Sequence, residues 1–297
     1  TRFTNACTVW SGFSGTGNKI TIGSSTGATL GFALDGGFNS QLNLLTGQTM
    51  TVNGTLTTAV YVNSAPISLQ DYILINGADA GSLHAGAGSF DVNPVIFNGG
   101  SFTYALRNET LGGTVDQWIL TPTAVAAAAD TWWKGDLTGL AAGGWSATLT
   151  SGTGSPSNWD DAVASGIDAL VPPDQNSIVH FSATGAANFA TTLGANMTIQ
   201  ELIFHTGNAA TTIGSSNGIN TLTLGNTTDP SGITLQTGVG DVGISAIVAL
   251  PQDQSWNIED TARVLTLSGG LTGTSRTLTV NDTTTNSGTL LFSGSAA

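Results

Sequence analysis

Apolar and hydroxyl residues alternate in short runs along nearly the whole chain, and glycine, asparagine or serine separates one run from the next. Thr8-Val9-Trp10, Lys19-Ile20-Thr21-Ile22 and the segments 28–34, 41–45 and 50–56 read as strands with one apolar and one hydroxylated face. Segments 59–62, 72–75, 94–97, 102–106 and 118–120 continue the series. Pro66 and Pro94 fall at strand edges, where a missing N–H costs least. Further strands are expected at 178–181, 198–204, 220–224, 232–235, 244–250, 256–258, 264–267, 277–280 and 289–292. From Leu222 onward their centres recur at roughly 9 to 13 residues, a spacing shared by solenoid faces and sandwich strands.

Several features favour the solenoid. The rungs Leu222-Thr223-Leu224-Gly225, Leu265-Thr266-Leu267-Ser268-Gly269 and Leu278-Thr279-Val280-Asn281 repeat with little variation. Each buries its apolar side chains only by stacking on neighbouring rungs. No amphipathic helix of useful length interrupts the pattern, so loops must carry the chain between parallel strands. The pattern predicts an all-β fold with a parallel β-helix, or solenoid, of Gly/Thr-rich rungs.

Four of the seven tryptophans fall between residues 132 and 159: Trp132, Trp133, Trp145 and Trp159. Just before them lies Pro122-Thr123-Ala124-Val125-Ala126-Ala127-Ala128-Ala129, too short for a stable isolated helix and read as a hinge. Three parts follow from this. Residues 1–121 form a β-rich closing unit, either a solenoid end or a sandwich, residues 122–131 an Ala-rich linker, and residues 132–297 a Trp-capped β-solenoid unit. Large aromatic side chains gain much by burial, so the tryptophans are expected to seal the exposed end of the second unit's sheets. Displayed in a row, the same four rings would instead stack on sugars.

Composition narrows the range of partners. Charged residues make up 8% of the chain, against roughly 25% in an ordinary soluble protein. Hydroxyls and amides must therefore solvate the outer faces. The net charge of −13 rests on 19 acidic and only 6 basic residues, with no basic cluster. Binding to nucleic acid or an anionic membrane surface is not expected on that balance. Membrane insertion is not expected either, because no apolar run reaches the ~18 residues a spanning helix needs. Cys7 is the only cysteine, which rules out an intrachain disulfide. The opening Thr1-Arg2-Phe3 and the closing Ser293-Gly294-Ser295-Ala296-Ala297 carry neither signal peptide nor anchor, so the chain reads as processed or as part of something longer.

Trp133, Trp145 and Asn158-Trp159, then Asp174 and Phe181, then Ile199-x-x-Leu202-x-Phe204 precede the Leu-Thr-Leu and Gly-Ile-Thr-Leu rungs. In this order they resemble bacterial surface proteins with autotransporter-associated β-strand repeats. The first 120 residues resemble the closing part of a preceding module. The resemblance implies a secreted or surface-displayed right-handed β-helix, passenger-like and without enzymatic activity. It does not extend to a translocator barrel, so it implies nothing about the route of export.

Candidate chemistry is sparse. His84, His180 and His205 are far apart in sequence, and His180 and His205 follow apolar residues in strands, which predicts solvated outward positions. No zinc-ligand spacing and no Gly-x-Ser-x-Gly elbow is present. Asp160, Asp161, Asp168 and Asp174 are the densest acids. A polysaccharide-active enzyme would use Asp160, Asp161 or Asp174, but their Pro- and Gly-rich surroundings predict a solvated loop. Gly238-Val239-Gly240-Asp241 is a single fragment of a Ca²⁺-binding nonapeptide, weak support for Ca²⁺ and for no other cofactor. Asn53, Asn108, Asn196, Asn226 and Asn281 stand in glycosylation triplets.

The expected function is that of a non-enzymatic extracellular or cell-surface structural or adhesive protein, built as a β-solenoid. Its expected partners are further copies of itself, paired end to end into oligomers or fibres, or other surface and matrix components. The alternative from another class is a carbohydrate-binding module using Trp132, Trp133, Trp145 and Trp159.

Overall fold

The computed structural model describes residues 2–3, 7–8, 19–23, 25–97, 102–147, 157–164, 168–225, 230–280 and 288–294. Among these the fold is all-β, with thirty strands and one short 3-10 turn at Gly139–Ala141. No helix among the described residues is long and apolar enough to cross a membrane. Val9 and Trp10, Gly152, Gly154 and Pro156, and the triplet residues Asn226 and Asn281 lie outside the described residues.

The chain divides into two compact units, the first through Val125 and the second from Ala126. The division falls inside the Ala-rich segment, but that segment is not wholly a linker. Pro122 and Thr123 belong to the strand Val115–Ala124, and Asp130 begins the strand Asp130–Trp133. Only residues 125–129 lie between the two strands.

In the first unit Lys19–Ile22, Thr49–Val52 and Leu83–His84 form one parallel sheet. Arg2–Phe3, Ala28–Asp35 and Thr55–Ser64 form a second, to which Ser89–Phe90 and Val95–Phe97 add in parallel. Cys7–Thr8, Leu42–Leu44 and Tyr72–Gly77 form a third. From Lys19 to Phe97 the chain visits the three sheets in fixed rotation, so these strands do not build a two-sheet sandwich. The rotation stops at a long antiparallel hairpin. Val115–Ala124 pairs antiparallel with Tyr72–Gly77, and Phe102–Leu111 pairs with Val115–Ala124 over ten residues.

The second unit repeats the rotation with shorter and more uniform strands. One sheet runs Asp130–Trp133, Ile178–Phe181, Glu201–Phe204, Ser231–Leu235, Gln254–Ile258 and Leu278–Val280, all parallel. A second contains Ala190–Leu193, Thr211–Ser215, Val242–Ile244, Val264–Leu267 and Thr289–Phe292. Met197–Ile199, Thr221–Leu224, Ile247–Ala249 and Leu271–Thr272 make the third. From Ile178–Phe181 to Val264–Leu267 each strand pairs with the strand three places later.

Alternation decides what faces inward. Phe181, Phe204, Leu235 and Ile258 are register partners in the first of these sheets, and all are buried. Ile213, Ile244 and Leu267 form the corresponding row in the second, and Leu222 and Val248 in the third. Every second residue points outward, and there threonines recur, as at Thr212, Thr223 and Thr266. This layout is what the Leu-Thr-Leu pattern predicts: one apolar stack within and a hydroxylated surface without.

Candidate functional site

The tryptophan-rich segment forms the near edge of the second unit's first sheet. Trp159–Asp160 pairs antiparallel with Asp130–Trp133, and no described strand lies beyond it. A two-residue edge strand leaves few free backbone groups to recruit another chain.

Inside it, Trp133, Trp145 and Trp159 have no accessible surface. Trp159 meets Trp133 edge-on at 4.9 Å and Trp145 edge-on at 5.1 Å, while Trp133 stacks on Phe181 at 5.6 Å and Phe181 on Phe204 at 5.1 Å. Each indole N–H finds a partner within the protein: Trp133 donates to the Ala187 carbonyl, Trp145 to Thr191 Oγ1 and Trp159 to the Trp145 carbonyl. Such rings offer no face to a sugar. Of the four expected sugar-stacking tryptophans, only Trp132 retains surface.

Asn158 explains why the segment folds as it does. Buried completely, it accepts the Leu137 N–H at Oδ1 and donates from Nδ2 to the carbonyls of Ala141 and Gly144. Its own carbonyl accepts the N–H groups of Lys134 and Gly135. One amide thus satisfies the irregular stretch between Lys134 and Gly144, which a buried loop requires.

Asp160 is not in a solvated loop, contrary to expectation. It lies on the edge strand, is 3% exposed, and forms an antiparallel bridge with Asp168. Burial, joined by Asp168 and Asp136, raises its carboxyl to about 6 against the pull of the Lys134 ammonium 3.6 Å away. Lys134 also donates to the Thr184 carbonyl. Asp161 is exposed, and Asp174 caps its own turn by accepting the Asn176 N–H. Asp241 is likewise occupied with backbone, accepting the Val264 N–H, and Asp260 accepts that of Gly238. Among the described residues no three His, Cys, Asp or Glu side chains converge as a metal site would need. Asn108 and Asn196 are exposed and Asn53 half-buried.

The histidines overturn their expected placement. His180 and His205, predicted to be solvated and apart, lie together on the outer side of the first sheet, with His180 Nδ1 2.9 Å from His205 Nε2. His180 is buried, and its Nε2 lies 3.0 Å from Asp130 Oδ1. His205 Nδ1 lies 3.1 Å from Gln236 Oε1, which also accepts the Thr206 N–H. Trp132 stacks on both rings, 4.1 Å from His180 and 4.8 Å from His205. His84 is exposed elsewhere, in the first unit.

These contacts join one carboxyl, two imidazoles and one amide into a continuous row. Burial holds His205 below the usual histidine range, the neighbouring His180 adds to this, and the Gln236 bond opposes it.

Beside this row lies a groove of about 470 Å³, lined by Trp132, Val163, Ser182, Thr184, His205, Thr206, Asn208 and Gln236, among others. Sequence reasoning missed it because its parts come from three successive visits to one sheet. A signal existed in the strand pair: setting Phe181 against Phe204 places His180 one residue before the aromatic and His205 one after.

Comparisons with protein-family models, with curated proteins and with solved structures find no match to this chain.

Proposed function

We propose that this chain is a non-enzymatic structural or adhesive segment of a bacterial surface or matrix protein, displayed outside the cell, whose units are right-handed parallel β-helices. The observation that carries the reading is the rotation of the second unit through three parallel sheets around one apolar stack. A crossover between parallel strands of one sheet is right-handed in nearly all proteins, which supplies the hand. Hydroxylated outer rows with few charges suit units that present surface rather than a reactive cleft. The tryptophan-rich motifs that resemble autotransporter-associated repeats support the same reading, because Asn158 and Trp159 organise the start of the stack.

Self-assembly extends the proposal. Leu271–Thr272, Leu278–Val280 and Thr289–Phe292 hold the last places in their sheets among the described residues, and Leu291 and Phe292 are about half exposed, at 46% and 53%. An unpaired parallel edge of this kind accepts the strands of a second copy. An experimental structure of the chain tests the fold reading: right-handed parallel coils within each unit are expected, and left-handed coils or a two-sheet sandwich in either would overturn it. Sedimentation velocity tests assembly separately. Mass rising with concentration, and a return to monomer in Phe292→Lys, are expected; a monomer at every concentration removes the assembly and leaves the fold reading standing.

A further inference from the structure

We infer that the groove beside Trp132 and His205 is a binding subsite for a neutral saccharide of about one or two sugar rings, independent of any role the solenoid has as a scaffold. Its size falls within the roughly 300–1,000 Å³ typical of small-molecule sites. Its lining is the main argument. In a chain of net charge −13, no Asp, Glu, Lys or Arg lines this groove. The wall combines three apolar side chains, Trp132, Val163 and Ala183, with an imidazole, hydroxyls and amides, the amphipathic mixture a sugar presents in return.

The second argument is a set of donors with no partner among the described residues. The Trp132 indole N–H, the Gln236 side-chain amide N–H groups and the Thr184 hydroxyl all border the groove, and none makes a hydrogen bond within the described protein. This contrasts with Trp133, Trp145 and Trp159, whose indoles are all satisfied internally. Other groups around the groove are already committed. Thr206 Oγ1 donates to the Thr237 carbonyl, Ser182 Oγ donates to Asn208 Oδ1, and Asn208 Nδ2 donates to Thr211 Oγ1. The groove thus has a fixed rim and three residues with unspent donors, which suits a ligand rich in acceptor oxygens.

The histidine row supplies rigidity. Gln236 is held at its oxygen by His205 and by the Thr206 N–H, which leaves its NH₂ pointing away from both. Trp132 is clamped against His180 and His205. A preorganised aromatic and a preorganised amide lose little freedom when a sugar arrives, and such ordering costs otherwise consume much of a weak ligand's binding energy.

The test is an array of neutral and acidic oligosaccharides probed with the whole chain, followed by saturation-transfer NMR and tryptophan fluorescence titration on the sugars retained. Binding of at least one neutral oligosaccharide is expected, with a change in tryptophan emission. Gln236→Ala and Thr184→Val should each weaken it about fivefold to tenfold, the loss of one ligand hydrogen bond. Thr184→Val removes only an unpaired hydroxyl and should unfold like the parent; Gln236→Ala also removes the acceptor facing His205 and the Thr206 N–H and should melt slightly lower, so its loss of binding counts only beside that of Thr184→Val. Trp132→Ala should abolish binding, but it also removes a structural stack, so the two rim variants carry the decision. Retention of acidic sugars alone, retention of none, or neutral-sugar binding unaffected by both rim substitutions would overturn the proposal.

Discussion

The two units solve one problem with different materials. Both rotate the chain through three parallel sheets, and in both the parallel order meets a strand running the other way. The first unit spends length on this: ten-residue Val115–Ala124 lies against Tyr72–Gly77 and ten-residue Phe102–Leu111 lies outside it, carrying Arg107, which bonds both Glu109 and Asp71. Charges on an edge strand discourage another chain from pairing there. The second unit spends aromatic mass. Its reversed strand is two residues long, and Trp133, Trp145 and Trp159 fill the volume behind it. A sheet edge can therefore be ended either by a long charged hairpin or by a short strand backed by a dense core, and one chain uses both.

The comparison is broken or sharpened most strongly by removing the central tryptophan of each closure. Trp118 in the first unit is buried, donates to Thr58 Oγ1 and lies 4.9 Å from Phe90. Trp133 has the equivalent standing in the second. Trp118→Ala and Trp133→Ala should each cost about 3–5 kcal/mol. Calorimetry of the whole chain is expected to show two transitions, each lowered by only one of the substitutions. A single transition moved by both would mean that the units unfold together.

Glycine substitutions give the next largest contrast. Gly135 follows the second unit's tryptophan pair with φ +66°, and an added Cβ would lie 2.1 Å from the Ala187 carbonyl oxygen. Gly113, in the first unit's hairpin turn, has φ +69° with nothing within 4 Å. A side chain in this left-handed region costs about 1–2 kcal/mol by itself, which is all that Gly113→Ala should lose. Gly135→Ala adds a backbone clash and should lose about 3 kcal/mol, overpacking alone costing about 1–3 kcal/mol. Chemical denaturation of the two variants measures the difference; equal losses would mean that the tryptophan layer yields as easily as an exposed turn.

The strands and the inward-facing rows were legible because a period of two is written in adjacent residues: Leu222-Thr223-Leu224 declares its faces without reference to any other part of the chain. The structural reading of the tryptophans was legible for the related reason that three large rings near one another gain more by burial than by exposure. What was not legible depended on returns to the same sheet. His180 and His205 meet only because Ile178–Phe181 and Glu201–Phe204 pair in register, and Gln236 joins them from a third strand's end. Asp160 was misread because its strand is too short to show alternation, and its Gly- and Pro-rich surroundings resemble a loop. That the last two strands of the first unit pair antiparallel was not legible, since alternation does not record strand direction.

Titration is the finest test, because the two closures should respond to acid with opposite sign. The folded protein holds a proton on Asp160 up to about pH 6, well above the ordinary 3.8. A group raised in this way contributes stability that is complete below the ordinary value and is lost as pH rises through the folded one. The second unit should therefore gain on the order of 2 kcal/mol between pH 7 and pH 4, the opposing pull of Lys134 being already contained in the folded value. Asp160→Asn, which keeps the bulk and removes the titration, should flatten that gain. In the first unit hydrogen bonds from Arg107 and then from Thr121 hold the Asp71 carboxyl below its ordinary value. Its contribution is present above pH 3.8 and disappears as pH falls through the depressed folded value, so it acts only in strong acid. Both partners are nearly half exposed, with side-chain exposures of 41% and 48%, which limits the pair to about 0–1 kcal/mol. Melting temperatures across pH 2–7 should thus show the second transition rising first on acidification and the first transition falling only later. Asp71→Asn should remove the smaller of these two movements and leave the larger one untouched, since Asp71 and Asp160 belong to different units. Parallel movement of both transitions would show that overall charge, rather than the two local carboxyls, sets the acid response.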